Sequence, residues 1–246
     1  FVIVIDNASR DSVLLAAAGV ELLQLESNVG IAKAQNIGIL RARELGAEYF
    51  IFFDQDSSID SQLIDVLRSA FETLRAANVS VAATVPVFTD PRYGFFHKFI
   101  NIDRHGRRVK IDPKNISEPF PVSLAISSGT FTSDEALDVI GLMREEFFID
   151  YVDTEWCLRA LKNGMTCYAI PDARMEHAIG DEFIRFLGVN LPVHSPFRRY
   201  FRIRNSIYLC HLPWVPKRLA AREVFISILH QAILVVLTQE RAGHLR

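Results

Sequence analysis

Cysteine is scarce. Cys157, Cys167 and Cys210 are the only three in 246 residues, and no two form a Cys-x-x-Cys pair. An odd number at irregular spacing argues against a disulfide framework and fits a reducing compartment, the cytoplasm. Charge of one sign is also lacking. The 27 Lys and Arg nearly balance 29 Asp and Glu, so the net charge of −2 shows none of the basic excess of a nucleic-acid binder. There is no Gly-x-Gly-x-x-Gly, and so no dinucleotide fingerprint. Long hydrophobic runs are absent too. The most apolar tract, Val224 to Leu237, is broken by Ser227, His230 and Gln231. At roughly 14 residues it falls short of the ~20 that span a bilayer. The opening FVIVIDNAS has neither the charged leader nor the small-residue cleavage site of a secretory signal. No internal repeat and no low-complexity segment is found.

What the chain does have is 50% apolar and 23% charged residues, the composition of a globular protein. The length allows one large α/β domain or two small ones with a substantial core. Strand and helix signals alternate from the start. Apolar, β-branched Phe1–Ile5 reads as a buried parallel strand. A short helix to Ala18 is stopped by Gly19, and Val20–Leu25 is the next strand. SNVGIAKAQNIG enters a helix running to Leu45, and Glu48–Phe53 forms a further strand. Helical spacing from Ser61 to Ala76 is followed by a strand over Val79–Val87. This rhythm predicts a mostly parallel sheet with helices on both faces. Ligands of such sheets sit beyond the carboxyl ends of the strands, where Asp6 and Asp54 fall.

Five prolines between Pro86 and Pro121 mark an irregular middle segment, with a hairpin around Asp103–Val109. Val122–Thr132 reads as a strand of small residues. Ser133 is placed as the N-cap of a helix, with Asp134 and Glu135 in its first turn. A helix over Asp153–Lys162, a strand over Met165–Ile170 and a basic, then apolar, helical ending complete the expectation.

Five clusters carry chemistry. In FFDQDS, Asp54 and Asp56 stand at i and i+2 after an apolar strand, so both carboxylates can address one ligand. Mg²⁺ and Mn²⁺ take such oxygen ligands together with substrate phosphates. An acidic turn, or the nucleophilic Asp-x-Asp of a phosphatase, gives the same letters. Asn28-Val29-Gly30, with Asn36 and Gly38, offers hydrogen-bonding amides and close backbone approach, or simply a capped helix entry. Asp150, Asp153 and Glu155 open a helix beside Trp156, against which burial would raise a carboxylate pKa toward that of a general base. The helix dipole alone also favours acids there. His177 stands alone beyond a strand. Arg198, Arg199, Arg202 and Arg204 alternate with aromatic residues and suit either a diphosphate or a basic surface.

In order, VIVIDNAS, NVGIAKAQNIG, FFDQDS, SSGT, FFIDYVDTEW, His177 and RRYFRIRN resemble the family-2 glycosyltransferases of GT-A fold. Within them, the pattern is most similar to bacterial rhamnosyltransferases that use dTDP-L-rhamnose. The resemblance implies an α/β, Rossmann-like sheet flanked by helices, with no counterpart of the family's first strand ahead of Phe1. It divides a single domain into a nucleotide-sugar half (1–120), an acceptor and catalytic half (121–200) and a helical extension (201–246). Asp6, Asn28 and Asp54 would bind the donor, with Arg199, Arg202 and Arg204 over its diphosphate. Asp56 would ligate Mg²⁺ or Mn²⁺, with His177 as a further ligand. Ser128, Gly129, Asp150, Glu155 and Trp156 would line the sugar and acceptor pocket, and Asp153 would be the catalytic base. The implied activity is inverting transfer of a sugar, L-rhamnose, to a saccharide or lipid-linked saccharide during cell-surface polysaccharide synthesis. It would take place in the cytoplasm, with peripheral membrane contact or a homodimer both compatible. A phosphatase or nucleotidyltransferase, or a non-catalytic sugar-nucleotide-binding domain, is the alternative.

Overall fold

The computed structural model describes residues 1–9, 19–55, 57–89, 96–176, 182–186 and 189–237. The first half contains β1 (Val2–Asp6), β2 (Val20–Gln24), α1 (Ile31–Glu44), β3 (Tyr49–Ile51), β4 (Ser58–Ile59), α2 (Leu63–Ala76) and β5 (Val81–Thr89). The middle contains β6 (Phe99–Ile102), β7 (Arg108–Ile111), β8 (Phe120–Val122), β9 (Phe131–Ser133) and α3 (Asp134–Ile140). The last part contains α4 (Val152–Lys162), β10 (Thr166–Glu176), β11 (Glu182–Phe186), β12 (Val189–Val193), α5 (Pro196–His211) and α6 (Lys217–Leu237). The expected helix ending at Ala18 lies outside the described residues.

The main sheet runs β3-β9-β5-β10-β4, with β8 also on β10. β5 is its spine: every side chain from Val81 to Phe88 is buried, as a strand covered on both faces requires. The sheet is mixed rather than mostly parallel. β1–β2 and β5–β10 are parallel, but β9 lies antiparallel to both β3 and β5. The run read as one strand from Val122 to Thr132 is therefore two short strands, β8 and β9. The loop between them turns at Gly129, whose φ of +75° no strand residue adopts. Ser133 caps α3 as expected, accepting the Ala136 N–H at 3.1 Å. The expected hairpin is β6–β7, turned over Asp103–Arg107.

α2 presents Leu63, Leu67 and Phe71 to the core at helical spacing. Among the described residues β1 pairs only with β2, so this two-stranded sheet stands apart from β3. β1, β3 and the inner side of α1 instead line one cleft. The C-terminal apolar tract is longer than the sequence count from Val224 suggested. The helix begins at Lys217, and Lys217–Val236 is long and apolar enough to cross a membrane by length and composition.

Candidate active site

The cleft holds about 1500 Å³. Asp6 and Asn7 at the end of β1, Asp54 and Gln55 after β3, Asp150–Thr154 around the start of α4, and Arg198 and Arg202 of α5 all line it. Carboxylates about a hundred positions apart in the sequence thus meet at strand and helix ends, the usual place for ligands in open α/β sheets.

The Asp54 turn is fixed from behind. Its backbone N–H donates to Ser128 Oγ at 3.3 Å, and that hydroxyl lies 2.6 Å from Ser57 Oγ. The Gly129 N–H donates to Phe52 O at 2.7 Å, and a Cβ on Gly129 would stand 2.6 Å from Pro86 Cγ. Ser128 and Gly129 are buried under the turn, not in the pocket wall expected of them. Ser127 reaches the cleft instead. Asp56 and His177 lie outside the described residues. Among the described residues no three His, Cys, Asp or Glu side chains gather as a metal cluster.

Asp153 is half-buried in the first turn of α4. Burial pushes its carboxyl up to about 6; the Thr154 N–H at 2.8 Å pulls the other way, and the charges of Asp150 and Asp54 push further up. Such a carboxylate is ionised at neutral pH yet basic enough to accept a proton. Glu155 and Trp156, expected in the pocket, are not there. Helical rotation of ~100° per residue turns both inward. Glu155 is fully buried, held by Arg159 at 2.9 Å and 3.0 Å and by Trp214 Nε1 at 3.1 Å. Trp156 donates to Gly141 O at 3.0 Å within the core.

The segment leading to Asp153 is strained. Phe148, Asp150 and Tyr151 have φ of 63°, 61° and 64°, the left-handed region that side chains other than glycine avoid. Asn205 of α5, fully buried, holds it by donating to the carbonyls of Phe147, Ile149 and Asp150 at 2.7, 2.7 and 3.0 Å. Arg204 bonds the carbonyls of Glu146 and Phe147. From the other side, Asn36 of α1 exchanges two hydrogen bonds with the backbone of Met143, at 2.9 and 3.0 Å. The Phe148 carbonyl in turn accepts the Ile31 N–H at 2.7 Å, satisfying the first turn of α1. Tyr151 is tied to α6, its hydroxyl 3.1 Å from Glu223 and 3.3 Å from Ser227.

The arginines of α5 divide by face. Arg198 and Arg202 line the cleft and flank Asp150 at 3.3 and 3.5 Å. Arg199 points inward and is fully buried, with bonds to Gln231 at 2.9 Å, His230 at 3.1 Å and Ser227 O at 2.6 Å. Burial lowers its guanidinium to about 10. Arg199 and Arg204 are thus occupied by protein partners rather than open to a diphosphate. His194, buried beside this group, is held down to about 4 by burial and by Arg198, and stays neutral. Nothing in the sequence singled it out.

At the end of β1, Asp6 accepts the Ser9 N–H at 2.9 Å, and Ser9 keeps its carboxyl below the usual range. Asn28 Oδ1 is taken up locally by the Gly30 N–H at 2.9 Å and the Asn7 side chain at 3.1 Å. Gly30 is obligatory: its φ is +83°, and a Cβ there would lie 2.6 Å from the Phe148 ring. Asn7, rather than Asn28, lines the cleft.

The fold that carries this cleft is that of the GT-A glycosyltransferases. The model for "Glycosyl transferase family 2" matches residues 2–140, and the chain belongs to that family. The chain is 41% identical over its whole length, and over 82% of the other protein, to "dTDP-rhamnosyl transferase RfbF" of Shigella flexneri. Among solved structures, TarS of S. aureus superposes over 97% of this chain with a TM-score of 0.54 at 15% identity. GalNAc-T7, solved with UDP, GalNAc and Mn²⁺, covers 88% with a TM-score of 0.50 at 14% identity. The chain spans 40% and 46% of those two proteins, and at such identity the likeness concerns the fold.

Proposed function

We propose that this protein is an inverting rhamnosyltransferase that moves L-rhamnose from dTDP-L-rhamnose to a saccharide during bacterial surface-polysaccharide synthesis. The observation that carries this reading is Asp153, whose carboxyl is raised to about 6 and lines one cleft with Asp6, Asn7 and Asp54. The named relative supplies the sugar and nucleotide.

Donor binding falls to the 1–120 half, with Asp6, Asn7 and Asp54 toward the nucleoside and ribose. Arg198 and Arg202, which line the cleft, are assigned to the diphosphate, a task for which paired guanidinium forks are suited. The Asp153 carboxylate takes the proton from an acceptor hydroxyl as that oxygen bonds to the anomeric carbon. The bond from that carbon to the diphosphate oxygen breaks on the opposite face, and its electron pair leaves with the nucleoside diphosphate. One displacement inverts the centre. Arg202 and Arg198 stabilise the charge on the leaving group.

The carboxylates of this cleft suit a divalent cation in their donor chemistry. Asp54, Asp150 and Asp153 all line the cleft, the charges of Asp150 and Asp54 add to the rise that burial gives Asp153, and hard carboxylate oxygens suit Mg²⁺ or Mn²⁺. Asp54 and Asp56, with His177, are the residues proposed to hold it. When bound it would neutralise the diphosphate. A lipid-linked saccharide presented at the cytoplasmic face of the membrane is the proposed acceptor.

Calorimetric titration with dTDP-L-rhamnose, UDP-sugars and GDP-mannose, with and without Mn²⁺, tests the donor. Preferential binding of dTDP-L-rhamnose, weakened by Asp56→Ala only when Mn²⁺ is present, is expected. Binding of no nucleotide sugar by the folded protein would overturn the reading.

A further inference from the structure

The outer face of α6 has no role in the cleft. Arg218, Arg222, Phe225, Leu229, Ala232 and Val236 recur at intervals of four and three, which keeps them on one stripe of a 3.6-residue helix. All six are exposed, Phe225 at 64% and Val236 at 65%. The opposite face is buried, and three of its residues are polar: Glu223, Ser227 and His230. They meet Tyr151 and Arg199, so α6 is fastened to the domain along one side.

Cations gather at the N-terminal end of this stripe. Arg107, Arg108 and Lys110 of the β6–β7 hairpin line a hollow with Arg218 and Arg222. The hairpin turn packs on the helix start closely enough that a Cβ on Gly106 would lie 2.9 Å from Pro216. Glu223 answers only part of this charge, through Arg108 at 3.2 Å and Arg222 at 2.6 Å.

We infer that α6 lies in the plane of an anionic bilayer, its apolar stripe among the acyl chains and the hairpin cations on lipid phosphates. About 30 Å of helix at 1.5 Å per residue and one apolar face under a basic head are what such interfacial binding requires. A second copy laid along the same stripe would have to offset the guanidinium groups at its head, whereas anionic headgroups complement them. Leu219, Glu223 and Arg108 also border the catalytic cleft, so docking would set its mouth at the membrane surface. The inference deepens the proposed use of a lipid-linked acceptor, and its test does not depend on that use.

The test is co-sedimentation of the full chain with sucrose-loaded vesicles of phosphatidylcholine alone or with one-third phosphatidylglycerol. Wild-type protein should sediment with the anionic vesicles only. Phe225→Asp combined with Leu229→Asp should reduce binding at least tenfold. Arg107→Glu and Arg218→Glu should each reduce it about fivefold, an effect that salt erases. The variants should keep wild-type unfolding temperatures and wild-type calorimetric affinity for dTDP-L-rhamnose, so failure here is separable from failure of the assigned activity. Equal sedimentation with neutral vesicles, undiminished binding by the variants, or a wild-type dimer that Phe225→Asp abolishes would each overturn the inference.

Discussion

Asp153 and Glu155 stand two residues apart on α4 and live in opposite worlds. Glu155 is fully buried but answered by Arg159 and the Trp214 indole. For Asp153 burial is the main cause that lifts the carboxyl to about 6, and the neighbours that add to the rise, Asp150 and Asp54, are themselves acids. The same division recurs on α5, where Arg199 is spent on Gln231 and His230 while Arg198 and Arg202 face the cleft. Burial alone does not mark a functional group. What marks it is a charge left with the wrong neighbours and room for a ligand.

The sharpest way to break this comparison is Asp153→Asn. Turnover should fall by about 10²–10⁴-fold, measured as nucleoside diphosphate released per unit time, with donor affinity retained. Its effect on stability has a definite sign. A carboxyl raised from 3.8 to about 6 makes the folded state less favourable once it ionises. The penalty builds between those values and persists above them. Asp153→Asn should therefore unfold at the same or a higher temperature than wild type at neutral pH, and gain nothing below pH 3.8.

Glu155→Ala should do the reverse, costing about 3–5 kcal/mol in denaturant unfolding because the largely shielded Arg159 loses its carboxylate partner and keeps only the Ile140 and Leu142 carbonyls. A loss of turnover without loss of stability would place Glu155 in the chemistry after all. Next in size, Arg202→Ala should raise the donor KM about tenfold with the unfolding midpoint unchanged. Arg199→Ala should lower the midpoint and leave the KM of the surviving protein near wild type. The smallest effect is the pH profile: kcat/KM should rise toward neutrality with a midpoint near the Asp153 value of about 6, a limb absent from Asp153→Asn.

Much of this was legible in the letters. The βα rhythm, the placement of Asp6 and Asp54 at strand ends, the Ser133 cap and Asp153 at a helix start all follow from local periodicity and capping chemistry. What was not legible depends on rotation and on distant partners. Glu155 and Trp156 share a motif with Asp153, but 3.6 residues per turn send them inward. The family resemblance implies a pocket wall at Ser128 and Gly129, whereas the antiparallel insertion of β9 puts them under the Asp54 turn. The short strand β9 is too brief to signal itself. Arginines alternating with aromatics do not disclose which of them finds Gln231 and His230 on a helix some 30 residues away.

Asn205 has a consequence in time. Phe148, Asp150 and Tyr151 each occupy a backbone region that costs about 1–3 kcal/mol, offset when α5 arrives to take the carbonyls of Phe147, Ile149 and Asp150 in the same segment. The partners are more than 50 residues apart, and closing that interval precedes any gain. Catalytic competence should therefore be a late event in the life of a refolding chain. Secondary structure and the β5–β10 core can mature first, and the base reaches its working position only when α5 locks the loop behind it.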